Sequence, residues 1–159
     1  MNETQQFLAA EKLLKDLLPD CDEKSLDYAH MNRILMGIYE RTGRSYRAAE
    51  CAKVEFDIFT EHIGPDQNDL ANAYSDMGYS LCSAFKPSDA LFYLNKAIDM
   101  AKSHPEPKRY THFNIDRFLR NRGRTKQQLR RFKEALEDFA EAEYYQTKIH
   151  GNDSHYDGE

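Results

Sequence analysis

The sequence has few of the residues that interrupt or cross-link a chain. Among 159 residues there are only 7 Gly, 5 Pro and 3 Cys. With 40 % hydrophobic and 31 % charged residues, the composition is typical of a strongly solvated helical protein rather than a β-sandwich or barrel. The chain is long enough to bury a substantial core.

The scarcity of cysteine and of long apolar runs restricts the compartment. Cys21, Cys51 and Cys82 are odd in number and lack CxxC spacing, which predicts reduced, mostly buried thiols rather than a disulfide framework. No apolar run approaches the roughly 18 residues that a membrane-spanning helix needs, and the polar start MNETQQF lacks the form of a secretory signal. These absences predict a cytoplasmic protein.

Motifs of catalysis and cofactor binding are also missing. The sequence contains no nucleophile elbow, no phosphate-cradling glycine loop and no HExxH. A group of metal-ligating residue types near the end has a spacing that matches no tight metal site; its members are His150, Asp153, His155 and Asp157. We therefore predict a non-enzymatic protein that needs no metal or cofactor.

Helical periodicity, in contrast, extends through the chain. Apolar residues recur at spacings of three and four, and no segment alternates with a strand period over a useful length. The predicted helices cover 4–18, 26–41, 46–62, two parts of 70–101 divided at Lys86-Pro87-Ser88, 108–128 and 132–149. In the first helix one stripe is predicted to cover the first repeat, and it consists of Phe7, Leu8, Leu14, Leu17 and Leu18. The predicted fold class is all-α, built from antiparallel helix pairs.

A glycine and an alanine recur at a spacing of twelve residues. The pairs are Gly37 and Ala49, Gly78 and Ala90, and Gly123 and Ala135. In the first unit, the neighbouring residues fit better if the frame begins one residue earlier, at Met36 and Ala48. Because a glycine inside a helix costs about 1 kcal/mol relative to alanine, Gly78 predicts that a neighbouring helix packs where a Cβ would lie.

These residues resemble the tetratricopeptide repeat. The second unit matches its large–small pattern at Tyr74, Met77, Gly78, Leu81, Ala90, Leu94 and Ala97, and the third at Leu119, Gly123, Phe132, Ala135, Phe139 and Ala142. Arg122 and Lys126 stand where the pattern expects apolar residues. The unit length and the junctions Gly64-Pro65-Asp66 and Gly151-Asn152-Asp153 are similar to the kinesin-light-chain subtype. The stretches RFLRNRGR and HGNDSHYDGE are similar to fungal tetratricopeptide proteins, including regions attached to nucleotide-binding immune-type receptors.

The resemblance implies an α-α superhelix, that is, an antiparallel helix-pair solenoid. Its parts would be an N-terminal capping helix in 1–24, three helix pairs at about 25–64, 66–103 and 107–150, and a tail or the start of a further repeat in 152–159. In such arrays the first helix of each pair lines a concave groove. The chain would then act as a scaffold for a peptide or a partner helix.

A basic stretch suggests the chemistry of the partner. Residues 117–133 contain eight Lys or Arg and no acid. Arg117, Arg120 and Arg124 are spaced i, i+3, i+7 and share a helix face, and arginine binds carboxylates bidentately. The predicted groove residues are Arg33, Asn72, Ser75, Tyr79, Arg117, Arg120 and Arg124. The arginines would supply charge, Asn72 a hydrogen bond to a peptide backbone, and Tyr79 an apolar wall for an acidic partner.

Three alternatives stay open at this point. The basic stretch can be a solvated face, neutralised by acids just downstream, namely Glu134, Glu137, Asp138 and Glu141. The last helix can drive homodimer formation through an apolar stripe of Phe139, Ala142, Tyr145 and Ile149. Nucleic-acid binding through 117–133 is less favoured, because the chain as a whole carries a net charge of −5.

Overall fold

The structure is a computed structural model that describes residues 1–62, 67–103 and 114–153, with only the backbone of 149–153. Within these ranges seven α-helices and one 3-10 turn (Leu18–Asp20) make up all the regular structure, which confirms the all-α class. The helices are α1 Glu3–Leu17, α2 Leu26–Arg41, α3 Ser45–Glu61, α4 Asn68–Ser83, α5 Pro87–Lys102, α6 Ile115–Gln128 and α7 Phe132–Asp153.

The chain divides into two compact units, Met1–Asp66 and Gln67–Glu159. In the first unit α2 packs against α3, and α1 packs against α2. In the second unit α4 pairs with α5 and α6 with α7, while α5 and α4 both also contact α6. The arrangement of all pairs as one superhelix stays a prediction.

Two helix boundaries differ from the predicted ones or cannot be compared with them. The last helix continues through His150 and Gly151 to Asp153, although a stop was predicted at those residues. The helix predicted over 108–128 begins at Ile115, after Asn114 with φ 52°, and residues 108–113 lie outside the described ranges. A left-handed residue cannot continue a right-handed helix, so Asn114 fixes the start of α6.

Each helix pair is joined by the same turn, a Schellman motif. In each pair, the residue two positions after the end of the first helix has a positive φ. These residues are Gly43 (73°), Phe85 (59°) and Arg130 (59°). The next backbone N–H reaches back across the turn to a carbonyl, from Arg44 to Tyr39 (2.7 Å), from Lys86 to Leu81 (2.9 Å) and from Arg131 to Lys126 (2.9 Å). These turns fall 42 and then 45 residues apart, so they give the repeat an unambiguous register.

The turns select the earlier of the two frames considered for the first pair. At a spacing of 42, Gly78 corresponds to Met36 and Leu94 to Ala52. A Cβ placed on Gly37 would meet nothing within 4 Å, so the Gly37–Ala49 register is wrong. Met36 and Ala52 are both buried, which means that the large residue of this pair lies on the first helix and the small one on the second.

Glycine permits close packing in the other two pairs. A Cβ on Gly78 would lie 2.4 Å from Cγ of Leu94, and one on Gly123 would lie 2.7 Å from Cε1 of Phe139. Both distances are far below a van der Waals contact, and they confirm the predicted approach of a neighbouring helix at Gly78. Leu94 clusters with Cys82 and Ala90, and a separate core cluster of the second unit contains Ala71, Ala97, Ile98, Ala101, Ile115, Phe118, Leu119 and Ala142.

An ion pair between Glu11 and Arg44 joins helix α1 to the turn of the first pair. Arg44 donates to both oxygens of the buried Glu11 carboxylate, at 3.0 and 2.7 Å, and Lys15 donates at 2.7 Å. These bonds, chiefly those from Arg44, outweigh the effect of burial and lower the pKa of Glu11 from 4.5 to about 2. The predicted apolar stripe of α1 is only partly used, because Leu8 and Leu17 are exposed.

The state of the cysteines and the hydropathy of the helices agree with the predictions made from the sequence. All three cysteines are free, and Cys51 and Cys82 are buried. Burial raises the pKa of the Cys51 thiol to about 11, which makes it a poor nucleophile. In the described part of the chain, no helix combines the length and the apolar character that crossing a membrane requires.

Candidate partner-binding face

Helices α4 and α6, the first helices of their pairs, pack beside each other in the second unit. Their polar side chains meet along one seam. Near the N-terminal ends, the Asn72 carbonyl oxygen accepts hydrogen bonds from Arg117 (2.7 Å) and Asn114 (3.2 Å). Arg117 also lies 3.9 Å from a carboxylate oxygen of Asp76. The structure therefore brings Asn72 and Arg117 together, two of the residues predicted to bind a partner.

The middle of the seam is closed by a buried hydrogen bond. The Asn121 side-chain amide donates to the Ser75 hydroxyl at 3.1 Å, and both residues are buried. A hydrogen bond between neutral groups contributes about 1 kcal/mol to stability, but leaving one partner unsatisfied costs more. Ser75 thus has a structural partner in the protein, and it offers little surface to a ligand.

The seam opens into a cleft of ≈ 450 Å³ at its other end. The lining residues are Tyr79, Cys82, Ser83, Asn121, Arg124, Gln127 and Gln128. The amide of Gln128 donates to the backbone carbonyl of Cys82 at 3.0 Å, which ties the end of α6 to that of α4. The predicted residues Tyr79 and Arg124 share this cleft.

Arg120 does not belong to the seam. One of its nitrogens donates to the Gln146 side chain of α7 at 3.0 Å, and another forms a short ion pair with Asp116, one turn earlier on α6. The i, i+3, i+7 spacing did place three arginines on one broad face. That face is divided, however: Arg117 and Arg124 lie toward α4 and Arg120 toward α7.

Arg122 and Lys126, the residues that break the repeat pattern, have a structural role. Arg122 binds both oxygens of the Asp138 carboxylate, at 2.9 and 2.8 Å, and Lys126 binds one at 3.0 Å. Asp138 therefore neutralises two cations of the basic stretch, as one alternative expected, but it is only 3 % exposed, so this part of the stretch is not a solvated face. The third Arg122 nitrogen donates to Asn95 of α5 at 3.1 Å. One buried carboxylate thus pairs with two cations that stand at positions where the repeat pattern expects apolar residues.

The remaining cations of 117–133 are available to solvent. Arg124, Arg130, Arg131 and Lys133 are exposed, and in the part of the chain that the structure describes none of them makes an ion pair or a side-chain hydrogen bond. Arg124 lines the cleft, and the other three lie in the turn after α6 and the first turn of α7. An exposed arginine without an ion pair in a polar opening can bind a carboxylate.

Arg33 lies in the first unit and has a different environment. Its Nε donates to the Glu55 carboxylate at 2.6 Å, and its guanidinium lies 5.2 Å from the centre of the Phe59 ring. Glu55 is fully buried. Arg33 neutralises a buried charge, so its contacts indicate a structural role. They give no support to the predicted role in partner binding.

Sequence reasoning missed Asn114, Asn121 and Gln128 as members of the seam. A signal was present: each contact joins residues about one repeat apart, namely Asn72 to Arg117, Ser75 to Asn121 and Cys82 to Gln128. Equivalent positions of neighbouring first helices lie side by side when a helix pair repeats. A search for polar side chains separated by 45 or 46 positions would have found Asn121, but not Asn114, whose contact with Asn72 spans 42 residues, or Gln128, which bonds a backbone carbonyl.

The geometry defines a helical repeat-like protein with a polar seam and a cleft that Arg124 lines. Among the described side chains there is no cluster of three or more potential metal ligands, and the predicted weak group around His150 lies outside them. Comparison with protein-family models finds no match to the chain, and comparison with curated proteins finds none either.

Proposed function

We propose that this protein is a cytoplasmic, non-enzymatic scaffold of the tetratricopeptide type that docks an acidic peptide or an acidic partner helix. The docking face is the α4–α6 seam with its cleft. The observation that carries this proposal is Arg124, an exposed arginine beside the cleft that makes no ion pair within the described part of the chain. A guanidinium in this position can form a bidentate pair with a carboxylate of the partner.

The other seam residues divide into two roles. Tyr79 provides an aromatic wall in the same cleft as Arg124. Arg117 is held by Asn72 but keeps nearly half of its side chain exposed, so it can contact a partner while staying oriented. Asn72 uses its carbonyl oxygen on Arg117 and Asn114, which makes it a positioning residue for Arg117.

The structure supplies a matched pair of variants for testing the proposal. Arg124→Gln removes a cation at the cleft, whereas Arg120→Gln removes one that is paired with Asp116 on the other side of α6. The probe is a fluorescent ten-residue peptide of alternating Glu and Leu, titrated with the protein by anisotropy. Binding should weaken about tenfold in Arg124→Gln, the equivalent of about 1.4 kcal/mol, and less than twofold in Arg120→Gln.

Other results would contradict the proposal. Equal losses in the two variants would show that the peptide follows net charge and not the cleft. No binding of the peptide to the unmodified protein, together with binding of a single-stranded oligonucleotide that Arg124→Gln weakens, would favour the nucleic-acid alternative. A salt series distinguishes peptide binding from nucleic-acid binding. For a nucleic acid, the logarithm of the binding constant falls steeply and linearly with the logarithm of the salt concentration.

Self-association is a second candidate, but the stripe predicted for it is used inside the protein, because Phe139 packs at Gly123 and Ala142 belongs to the core. One observation favours a different face of the same helix. Helix α7 exposes three large apolar side chains at spacings of four and eight, Phe132, Leu136 and Tyr144. An exposed apolar stripe of this kind is typical of an interface. Sedimentation velocity at several concentrations tests it: a dimer that Leu136→Glu disrupts supports the interface, and a monomer at every concentration excludes it.

A further inference from the structure

The turns of the second unit carry side chains that the turn geometry disfavours. Phe85 and Arg130 both have φ 59°, a conformation in which a residue with a Cβ is strained. In the first pair Gly43 takes this position without that cost. Phe85 is 85 % exposed and Arg130 is exposed as well, so neither side chain offsets the strain by packing inside the protein. Strained residues of this kind are typical of functional sites.

The two turns lie next to each other at one end of the second unit. Helices α4 and α6 run in the same direction, because residues at increasing positions of α4 bond to residues at increasing positions of α6. The carbonyl of Cys82 closes the first turn by accepting the backbone N–H of Phe85 at 3.1 Å. The same carbonyl accepts the side-chain amide of Gln128 at 3.0 Å, and Gln128 stands two residues before Arg130.

This end of the unit, residues 84–88 and 129–133, is called the apex below, and it combines cations with aromatic rings. In the described part of the chain its cations form no ion pair, and all of them are exposed; they are Lys86, Arg130, Arg131 and Lys133. Phe132 is a second exposed ring, beside Phe85. The first acids after the two turns are Asp89 and Glu134, so four cations stand against two carboxylates.

The turn of the first pair uses the same positions for structure. Glycine takes the left-handed position, and the next residue, Arg44, binds the Glu11 carboxylate. The equivalent residues of the second unit are Lys86 and Arg131, and neither has a carboxylate partner within the described ranges. The apex therefore carries charge and apolar surface that the fold itself does not use.

We propose that the apex is a docking site for an anionic lipid surface. Phe85 and Phe132 enter the boundary between headgroups and acyl chains, and the four cations contact the charged groups of the lipids. Charge complementarity selects an anionic partner, and the exposure of the rings selects a lipid surface. The site is separate from the α4–α6 cleft and does not depend on the proposed peptide-docking function.

The exposure of Phe85 distinguishes a lipid surface from a peptide or a nucleic acid. A ring that is 85 % exposed projects from the protein and does not form the wall of a groove. A nucleic-acid base would cover one face of such a ring by stacking. A lipid interface is deformable and surrounds an inserted ring, so it removes more apolar area from water. Neighbouring turns at one end of a helical unit can also contact a flat surface together.

The net charge of the chain, −5, does not prevent this contact. At physiological ionic strength the Debye length is about 8 Å, whereas α4 and α6 extend about 20 Å from the apex. The charges of the apex therefore dominate the attraction. Each cation near an anionic leaflet strengthens binding about fivefold. A contact of this size is reversible and needs no spanning helix.

The absence of tryptophan from the chain allows a direct test of insertion. Phe85→Trp places one indole at the apex, and Phe92→Trp places one on α5, where Phe92 is 63 % exposed. The probes are vesicles of phosphatidylcholine alone and of phosphatidylcholine with one-third phosphatidylserine. Emission of Phe85→Trp should shift to shorter wavelength with the anionic vesicles only. Emission of Phe92→Trp should not shift with either kind.

Co-sedimentation with the anionic vesicles measures the affinity. Phe85→Gly should weaken binding about tenfold, although it relieves the strained turn and raises Tm. A weaker binder that folds more stably excludes unfolding as the cause. Arg130→Gln with Arg131→Gln should weaken binding about thirtyfold. The charge-matched control is Lys12→Gln with Lys96→Gln, two exposed lysines outside the apex, and it should stay within about twofold.

Four results would overturn the proposal. One is no binding of the unmodified chain to the anionic vesicles. Another is binding that Phe85→Gly leaves unchanged, because the attraction would then involve charge without insertion. An equal shift in both tryptophan variants would place the contact elsewhere on the protein. The last is binding of a single-stranded oligonucleotide that Phe85→Gly weakens more than vesicle binding, which would make a nucleic acid the occupant.

Discussion

The helix pairs α2–α3 and α4–α5 share a turn and a register but are packed by different means. In α4–α5 a glycine receives Leu94, and the next inward position is Ala97. In α2–α3 the sizes are exchanged between the helices, and the residue equivalent to Ala97 is the fully buried Glu55, held by Arg33. The turn therefore fixes the register of each helix pair. The two helices of a pair can then pack either through apolar residues of complementary size or through a buried ion pair.

Removing the cation of the buried pair should have the largest effect. Arg33→Ala leaves Glu55 buried without its guanidinium partner, and the free energy of unfolding should fall by about 3 kcal/mol. Urea denaturation monitored by circular dichroism measures the loss. The double variant Arg33→Ala with Glu55→Ala makes this pair resemble α4–α5 and should recover more than half of it. A single variant that loses under 1 kcal/mol would contradict the importance of the ion pair.

Replacing a glycine by alanine should destabilise the α4–α5 pair and stabilise the α2–α3 pair. Gly78→Ala places a Cβ against Leu94, so overpacking should cost about 2 kcal/mol, even after the gain in helix propensity. Gly37→Ala meets open space and should stabilise by up to about 1 kcal/mol. Thermal unfolding of the two variants makes the comparison. Equal changes in Tm would mean that the glycines occupy equivalent positions after all.

The pH dependence of stability should report how α1 is attached to the first unit. The pKa of Glu11 is lowered from 4.5 to about 2 in the folded state, so its contribution is present above pH 4.5 and is lost as pH falls toward 2. Solvent near Arg44 and Lys15 screens these contacts, and we expect about 1 kcal/mol. Glu11→Gln should remove this part of the acid dependence in urea melts between pH 2 and 6. Asp57→Asn, which removes a carboxylate from the exposed pair with Lys53, is the control for the loss of one negative charge.

The smallest effects should come from the turns that the pairs have in common. Phe85 and Arg130 adopt the left-handed conformation that Gly43 adopts without a steric cost. Phe85→Gly and Arg130→Gly should each stabilise by about 0.5–1 kcal/mol, whereas Gly43→Ala should destabilise by about 1 kcal/mol. Differential scanning calorimetry resolves shifts of this size. A loss of stability in Phe85→Gly would show that its side chain packs in a way that its exposure does not suggest.

The sequence predicted the helices well because their periodicity is a local property. The bounds of α2, α3 and the α4–α5 break agree with the expected segments to within about two residues, and the Gly78 contact was found from the cost of a glycine in a helix. The first register was ambiguous, since Met36–Ala48 and Gly37–Ala49 both have the required spacing. Only the turn at Gly43 and the empty space around Gly37 decide between them.

The candidate site was predicted less completely. Spacing along one helix placed Arg117, Arg120 and Arg124 on a common face, but it could not show which neighbouring helix each would meet. Asp138 was expected to neutralise cations on a solvated face, and its burial against Arg122 and Lys126 was not foreseen because this contact joins residues of two helices. Charge pairing between helices depends on their packing, and helical periodicity carries no information about it.

The sequence by itself determined that the chain is helical, that a helix pair recurs after 41 or 42 residues and again after 45, and that small residues allow close approach. These properties follow from short-range propensities and from residue size. Only the tertiary structure decided which cations are neutralised inside the protein, which border the cleft, and which apolar side of α1 is left in solvent. Those outcomes depend on the mutual orientation of helices, where a rotation of one helix changes the partners of every side chain on it.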